Sequence, residues 1–280
     1  MGPRSHTQVR HHVEMRCRII SQRPSVICHL FRPLMKRRYT WNWITQCLLV
    51  LVAAFALKLY YSTASADQLR WILAPTAALV ELVSGATFEF ESYAGYISRE
   101  RGFLIANSCA GVNFLIAAFL MLSMRKLLGD RSKEIAWGFI PTAALIAYFS
   151  TLVANTARIT IALLLRQSSV EIGWLNPDQL HRFEGIFIYF GFLLLLFAIS
   201  EKISAEKTSD SLRCSLFPLL VYYAIALGVP LVTGAHRQGA EFWRHALFVL
   251  LIPLLLTLSS LIIRGAFISL RRRPETVKAA

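Results

Sequence analysis

The chain has 280 residues, of which 55% are hydrophobic and 16% charged, with a net charge of +14 and a mean hydropathy of +0.50. That is more apolar surface than one soluble domain buries, which argues against a water-soluble protein and points to an integral membrane protein. The basic residues lie between apolar runs rather than on one folded face, so the charge reads as a topology signal and a preference for membrane lipid, with no nucleic-acid partner expected.

In chain order, residues 1–34 are basic and hold no apolar run long enough for a signal peptide or a span, which predicts a disordered tail. Binding of anionic lipid is the alternative role for such a tail. Met35, followed by KRRYTWNW with interfacial Trp41 and Trp43, looks like a natural beginning. One membrane domain is therefore expected over 35–270, with a basic cytoplasmic tail at 271–280.

Apolar runs fall at 44–61, 103–124, 136–153, 186–200, 215–233 and 245–263. Most approach the roughly 20 helical residues that cross about 30 Å of hydrocarbon. A seventh run, 69–85, carries Pro75 and Glu81 and is expected to be a short helix, with Pro75 near its first turn and Gly85 after its end. Between 85 and 103, Phe88, Glu89, Phe90 and Glu91 alternate before a turn, the period-two pattern of a hairpin. The expected fold is all-α: a polytopic membrane helix bundle of about six spans plus a short non-crossing helix, with a small hairpin on the outer face.

Lys and Arg counts assign sides. Residues before 44, 125–134, 201–214 and those after 263 hold 21; the alternate segments 62–102, 154–183 and 234–244 hold eight. The richer set belongs in the cytoplasm. Parity then requires 62–102 to begin and end outside, so 69–85 does not cross. In the rival topology 69–85 spans, but nine basic residues ahead of position 44 stand on the wrong side.

Three outer-end motifs carry the candidate chemistry. Cys109, in NSCAG, has no plausible disulfide partner among Cys17, Cys28, Cys47 and Cys214. Asn107 or Ser108 as N-cap would place it in the first turn of a helix, where amides and the dipole favour a thiolate or oxyanion. Gly111 follows. Arg158, in NTARI, comes after the 136–153 run and should face water or the protein interior, with Asn155 three residues earlier able to orient it. His181, in HRFEG, has a side chain suited to proton transfer; Glu184 at i+3 can orient the ring and Gly185 permits close backbone approach. Taken singly, each has an ordinary reading: a packing cysteine, a snorkelling arginine, an interfacial histidine. Their shared depth on one face is what argues for a site. No HExxH element is present, and His236 and His245 lack neighbouring ligands, so neither a metal nor another cofactor is expected.

The segments NSCAGVNFLIAAF, NTARI and HRFEG resemble, in order and setting, the Cys, Arg and His motifs of the exosortase/archaeosortase family. LAPTAALVELVSG and YISRER look most like the branch called exosortase K, and the resemblance covers about residues 40–265. It implies a sortase-like cysteine protease or transpeptidase at the outer face of the bacterial inner membrane. Its partners would be exported proteins bearing a C-terminal sorting signal, with Cys109 as nucleophile, His181 as proton-transfer group and Arg158 as oxyanion or thiolate stabiliser. The family commonly has serine after the cysteine, where this chain has Ala110. Two other classes stay open on the residues alone: a multi-pass transporter, whose polar groups would lie near the midplane, and a non-catalytic membrane assembly protein.

The charge pattern generates a direct test. Labels at Ser65, Gly129, Asn176, Ser209 and Gly239 are expected to report outside, inside, outside, inside, outside. A cytoplasmic signal at Asn176 would overturn both the topology and the single-face site.

Overall fold

The structure, a computed structural model, describes residues 41–129, 136–167, 177–203, 211–232, 234 and 239–272. The chain divides into two units, Met1–Ile44 and Thr45–Ala280. Of the first only 41–44 are described, so the expected tail at 1–34 lies outside the described residues, as does 273–280.

The fold is an all-α bundle carrying one small sheet. Its elements are α1 (Trp41–Thr63), α2 (Arg70–Ser84), β1 (Glu89–Glu91), β2 (Gly95–Ser98), β3 (Phe103–Ile105), a 3₁₀ turn (Asn107–Cys109), α3 (Val112–Gly129), α4 (Phe139–Gln167) and α5 (Pro177–Ile203). Then follow α6 (Ser211–Tyr223), a π-helical turn (Ala224–Gly228), α7 (Val229–Val232) and α8 (Ala240–Arg272). Among the described residues five helices are long and apolar enough to cross a membrane: α1, α3 with its 3₁₀ turn, α4, α5 and α8. The remaining run expected to cross is the shorter apolar stretch Leu216–Val232, interrupted by the π-helical turn.

At the centre stands α3, buried nearly all round from Val112 and Phe114 to Met121 and Leu127, the signature of a helix enclosed by others. It packs against α4, α5 and α6, and α8 closes the far side of α5 and α6. Between helices in lipid, packing rather than water exclusion drives association, and small residues let backbones approach. Ala143, Ala147, Thr151 and Ala154 supply such a buried stripe on α4. In contrast, α1 buries only Gln46, Val50 and Ala54, and Lys58 Nζ donates to Asn113 Oδ1 at 2.7 Å near its C-terminal end.

With 15 residues, α2 is about 22 Å long, short of the hydrocarbon thickness. Ile72, Leu73, Thr76, Ala77 and Val80 form its buried face, and it packs on α4. Gly85 ends it in a left-handed conformation (φ 67°), donating its N–H to Glu81 O at 2.8 Å. Glu81, conspicuous in an apolar run, accepts the Phe88 N–H at 2.7 Å and so fixes the exit toward the sheet. Pro75 lies inside the helix, in its second turn, and has no N–H for the carbonyl of Trp71 four residues earlier. Tyr148 of α4 supplies the missing donor: its hydroxyl bonds Trp71 O at 2.8 Å, and the two rings stack at 5.9 Å.

The segment between α2 and α3 contains the expected hairpin and extends it. It is a three-stranded antiparallel meander in the order β1-β2-β3, with Phe90 opposite Tyr96 and Ile97 opposite Leu104. Residues 103–105, assigned from their apolar character to a span, instead form the third strand. Gly95 (φ 118°) permits this, because a Cβ there would collide with the Ile105 carbonyl. The Arg70 guanidinium of α2 lies 4.4 Å from the centroid of the Phe90 ring.

The Pro75 and Tyr148 pairing predicts a thermodynamic cycle. Tyr148→Phe should destabilise the detergent-solubilised protein by about 1 kcal/mol, since a carbonyl loses its donor. In a Pro75→Ala background, where the helix supplies its own N–H, the same change should cost less than half as much. Equal losses in thermal unfolding of the two backgrounds would refute the coupling.

Candidate active site

Residues that lie far apart along the chain meet at one end of the bundle. There α1 ends, α3 and α5 begin, and the antiparallel α4 passes between α3 and α5.

Cys109 does not occupy the first turn of the long helix. It closes a 3₁₀ turn, Gly111 follows with φ 72°, and α3 starts at Val112. The reason is local. The Asn107 side chain donates to Ala64 O at 3.2 Å instead of capping α3, and the Asn107 backbone carbonyl accepts the Tyr61 hydroxyl at 3.3 Å. The Cys109 and Ala110 amides are already engaged, donating to Ala106 O at 2.8 Å and Asn107 O at 3.1 Å. The thiol therefore sits just ahead of the positive end of α3, and its own N–H is not available to an oxyanion. Cys109 itself is buried.

Gly111 is required twice over at this junction. Its left-handed φ disfavours any side chain, and a Cβ would lie 3.2 Å from Asn155 Cγ, 3.2 Å from Thr151 Cγ2 and 3.3 Å from Tyr189 Oη.

Arg158 follows the apolar run 136–153, as the sequence placed it, and lies within α4, which continues through Asn155, Thr156 and Arg158 to Gln167, with Asn155 and Thr156 buried against protein rather than lipid. Its guanidinium rests against α5: a Cβ on Gly185 would stand 2.8 Å from Arg158 Nε, so the bare backbone makes the space, as the sequence suggested. Arg158 Nη1 donates to Tyr189 Oη at 3.2 Å, and the guanidinium carbon lies 5.2 Å from that ring's centroid.

Asn155 plays a different part from the one expected. It is fully buried, donates Nδ2–H to the Cys109 carbonyl at 2.6 Å and accepts the Tyr189 hydroxyl at Oδ1 at 2.7 Å. It orients Arg158 only through Tyr189. Glu184 is buried on α5, one position before Gly185. His181 belongs to the first turns of the same helix, but its side chain lies outside the described residues, and with it any contact to Glu184.

Cys109, Asn155 and Arg158 are thus brought together with Gly111 and Gly185. Tyr189 and Tyr61 were missed. Tyr189 was legible in principle: positions 181, 185 and 189 succeed one another at i, i+4 and i+8 along one helical face. It was masked by the apolar letters around it.

A half-buried guanidinium linked through Tyr189 and Asn155 to a turn that carries a thiol just ahead of a helix N-terminus can stabilise a thiolate and oppose charge developing on a bound carbonyl oxygen. Comparison of the chain with protein-family models, curated proteins and solved structures finds no match.

Gly111→Ala is expected to destabilise the protein by about 1–3 kcal/mol, from the left-handed backbone and the three crowded neighbours. Thermal unfolding in detergent measures it, and an unchanged midpoint would show that the junction is not as tightly built as the distances indicate.

Proposed function

We propose that this chain is a membrane-embedded cysteine peptidase or transpeptidase of the exosortase kind. The observation that carries the reading is the junction of Cys109 and Arg158, 49 residues apart in sequence, through Asn155 and Tyr189 at one end of an apolar bundle. The ordered Cys, Arg and His motifs support it independently.

In the proposed reaction the Cys109 thiolate attacks a peptide carbonyl carbon, and Arg158 opposes the negative charge that develops on the carbonyl oxygen. As the tetrahedral species collapses, the C–N bond breaks and the departing amine takes a proton from His181, leaving a thioester on Cys109. An acceptor amine or water then gives its proton to His181 and attacks the thioester, which restores the thiolate. Hydrolysis and transpeptidation differ only in that acceptor. The substrates are exported proteins with a C-terminal sorting signal, and the site faces the outer side of a bacterial inner membrane, in keeping with the distribution of Lys and Arg.

Mass spectrometry of exported proteins from cells carrying the wild-type chain or Cys109→Ala tests the proposal. Processing should disappear in the variant, and a peptide should be trapped on Cys109 in the wild type. Cys109→Ser should lose most turnover because a hydroxyl lacks the thiol's acidity, and Arg158→Lys should lose much of it because a point charge does not replace a planar donor fork. Gly185→Ala provides a sharper probe. Alanine is about 1 kcal/mol better than glycine in a helix, which offsets part of the cost of displacing the guanidinium. With accumulation checked alongside, the new Cβ must push Arg158 aside and lower processing per folded molecule by about tenfold or more. Normal processing by Cys109→Ala would end the peptidase reading.

A further inference from the structure

We propose that Tyr189 and Asn155 are positioning residues that lock Arg158 to the Cys109 turn through a hydrogen-bond chain with a single proton arrangement. The inference deepens the reading above, on which Arg158 serves Cys109.

Its logic is a donor count. A guanidinium has only donors and a peptide carbonyl only accepts. With Arg158 Nη1 donating at 3.2 Å, the Tyr189 hydroxyl accepts and turns its own hydrogen to Asn155 Oδ1 at 2.7 Å. Asn155 then meets the Cys109 carbonyl with its NH₂ group, at 2.6 Å. Flipping the Asn155 amide would set two acceptors against each other at the Cys109 end. Every hydrogen thus points from Arg158 toward the cysteine, an arrangement in which successive bonds polarise one another. The single hydrogen of Tyr189 is committed to Asn155, so this residue positions rather than donates to substrate.

The ring and the hydroxyl are separable. Phe114 stacks on the Tyr189 ring at 5.3 Å and Arg158 lies over it at 5.2 Å, contacts that a phenylalanine would keep. Tyr189→Phe therefore removes one link of the chain and little else. Among the described residues, Tyr61 from α1, Arg158 from α4 and Tyr189 from α5 bear electrostatically on Cys109, with Glu184 acting on Arg158.

The test uses the full chain in detergent, with Cys17, Cys28, Cys47 and Cys214 replaced by alanine, and follows the rate of Cys109 alkylation by iodoacetamide against pH. Loss of a nearby cation in Arg158→Gln should move the reactivity midpoint upward by about one pH unit. Tyr189→Phe should move it at least half as far. Asn155→Leu, which breaks the next link, should move it in the same direction and serves if Tyr189→Phe does not accumulate. Phe114→Leu, which removes the stack but keeps the hydroxyl, should leave the midpoint in place. A Tyr189→Phe profile superimposed on wild type, an unmoved Arg158→Gln profile, or a Cys109 that never ionises in the accessible range would each overturn the proposal. Because no substrate is needed, the outcomes separate. An unmoved profile with Cys109-dependent processing defeats the positioning role alone, and a shifted profile with processing that survives Cys109→Ala defeats the peptidase reading alone.

Discussion

A guanidinium placed among apolar helices must be held by protein, and the demands of Arg158 account for much of what lies around it. An Arg within a span is costly unless protein or water meets its charge. Gly185 leaves bare backbone where any side chain would intrude, Tyr189 offers both a ring face and an oxygen, and Asn155 passes the hydrogen bond on to the Cys109 carbonyl. Gly111 in turn lets the cysteine-bearing turn close onto Thr151 and Asn155 without a Cβ between them. Removing the arginine would leave a tyrosine and an asparagine arranged for a donor that was gone.

The contrast between legible and illegible parts follows from what an apolar run reports. A run marks where a helix faces lipid, so α1 and α8, the least enclosed helices, lay close to the predicted segments. It says little about where a helix ends once its polar residues face inward. That is why the apolar run closes near 153 while α4 continues through Asn155 and Arg158 to Gln167. The same blindness hid Tyr189, whose hydroxyl is turned into the bundle from within the run IFIYFGF. Cys109, Arg158 and Gly185 stood out because a thiol, a cation and a glycine are conspicuous against hydrocarbon. The start of α3 at Val112 depended on the positive φ of Gly111 and on Asn107 turning to Ala64, choices that local propensity does not encode.

Where the sequence breaks a helix rule, a neighbour compensates. Pro75 deprives Trp71 of an intrahelical donor, and Tyr148 on the packed helix replaces it. Glu81, in the last turn of α2, accepts the Phe88 amide beyond the helix end. Both compensations join α2 to its surroundings, which helps a 15-residue helix keep one orientation against α4.

Helix lengths bear on the depth of the site. From Val112 to Gly129 α3 runs 18 residues, about 27 Å, close to the thickness of the hydrocarbon, with Arg125 and Lys126 near its far end. If those basic residues mark one boundary, the Cys109 turn stands at the other. The longer α4 agrees: Arg158 lies eight residues, about 12 Å, before Arg166, so an overhang beyond the bilayer brings the guanidinium to the same boundary. Transporters gather their polar groups near the midplane, where a solute must be handed across. On the proposed reading, a thiol and a guanidinium at such a boundary would instead meet a polypeptide anchored in the membrane, its reacting bond emerging where water and an acceptor amine become available.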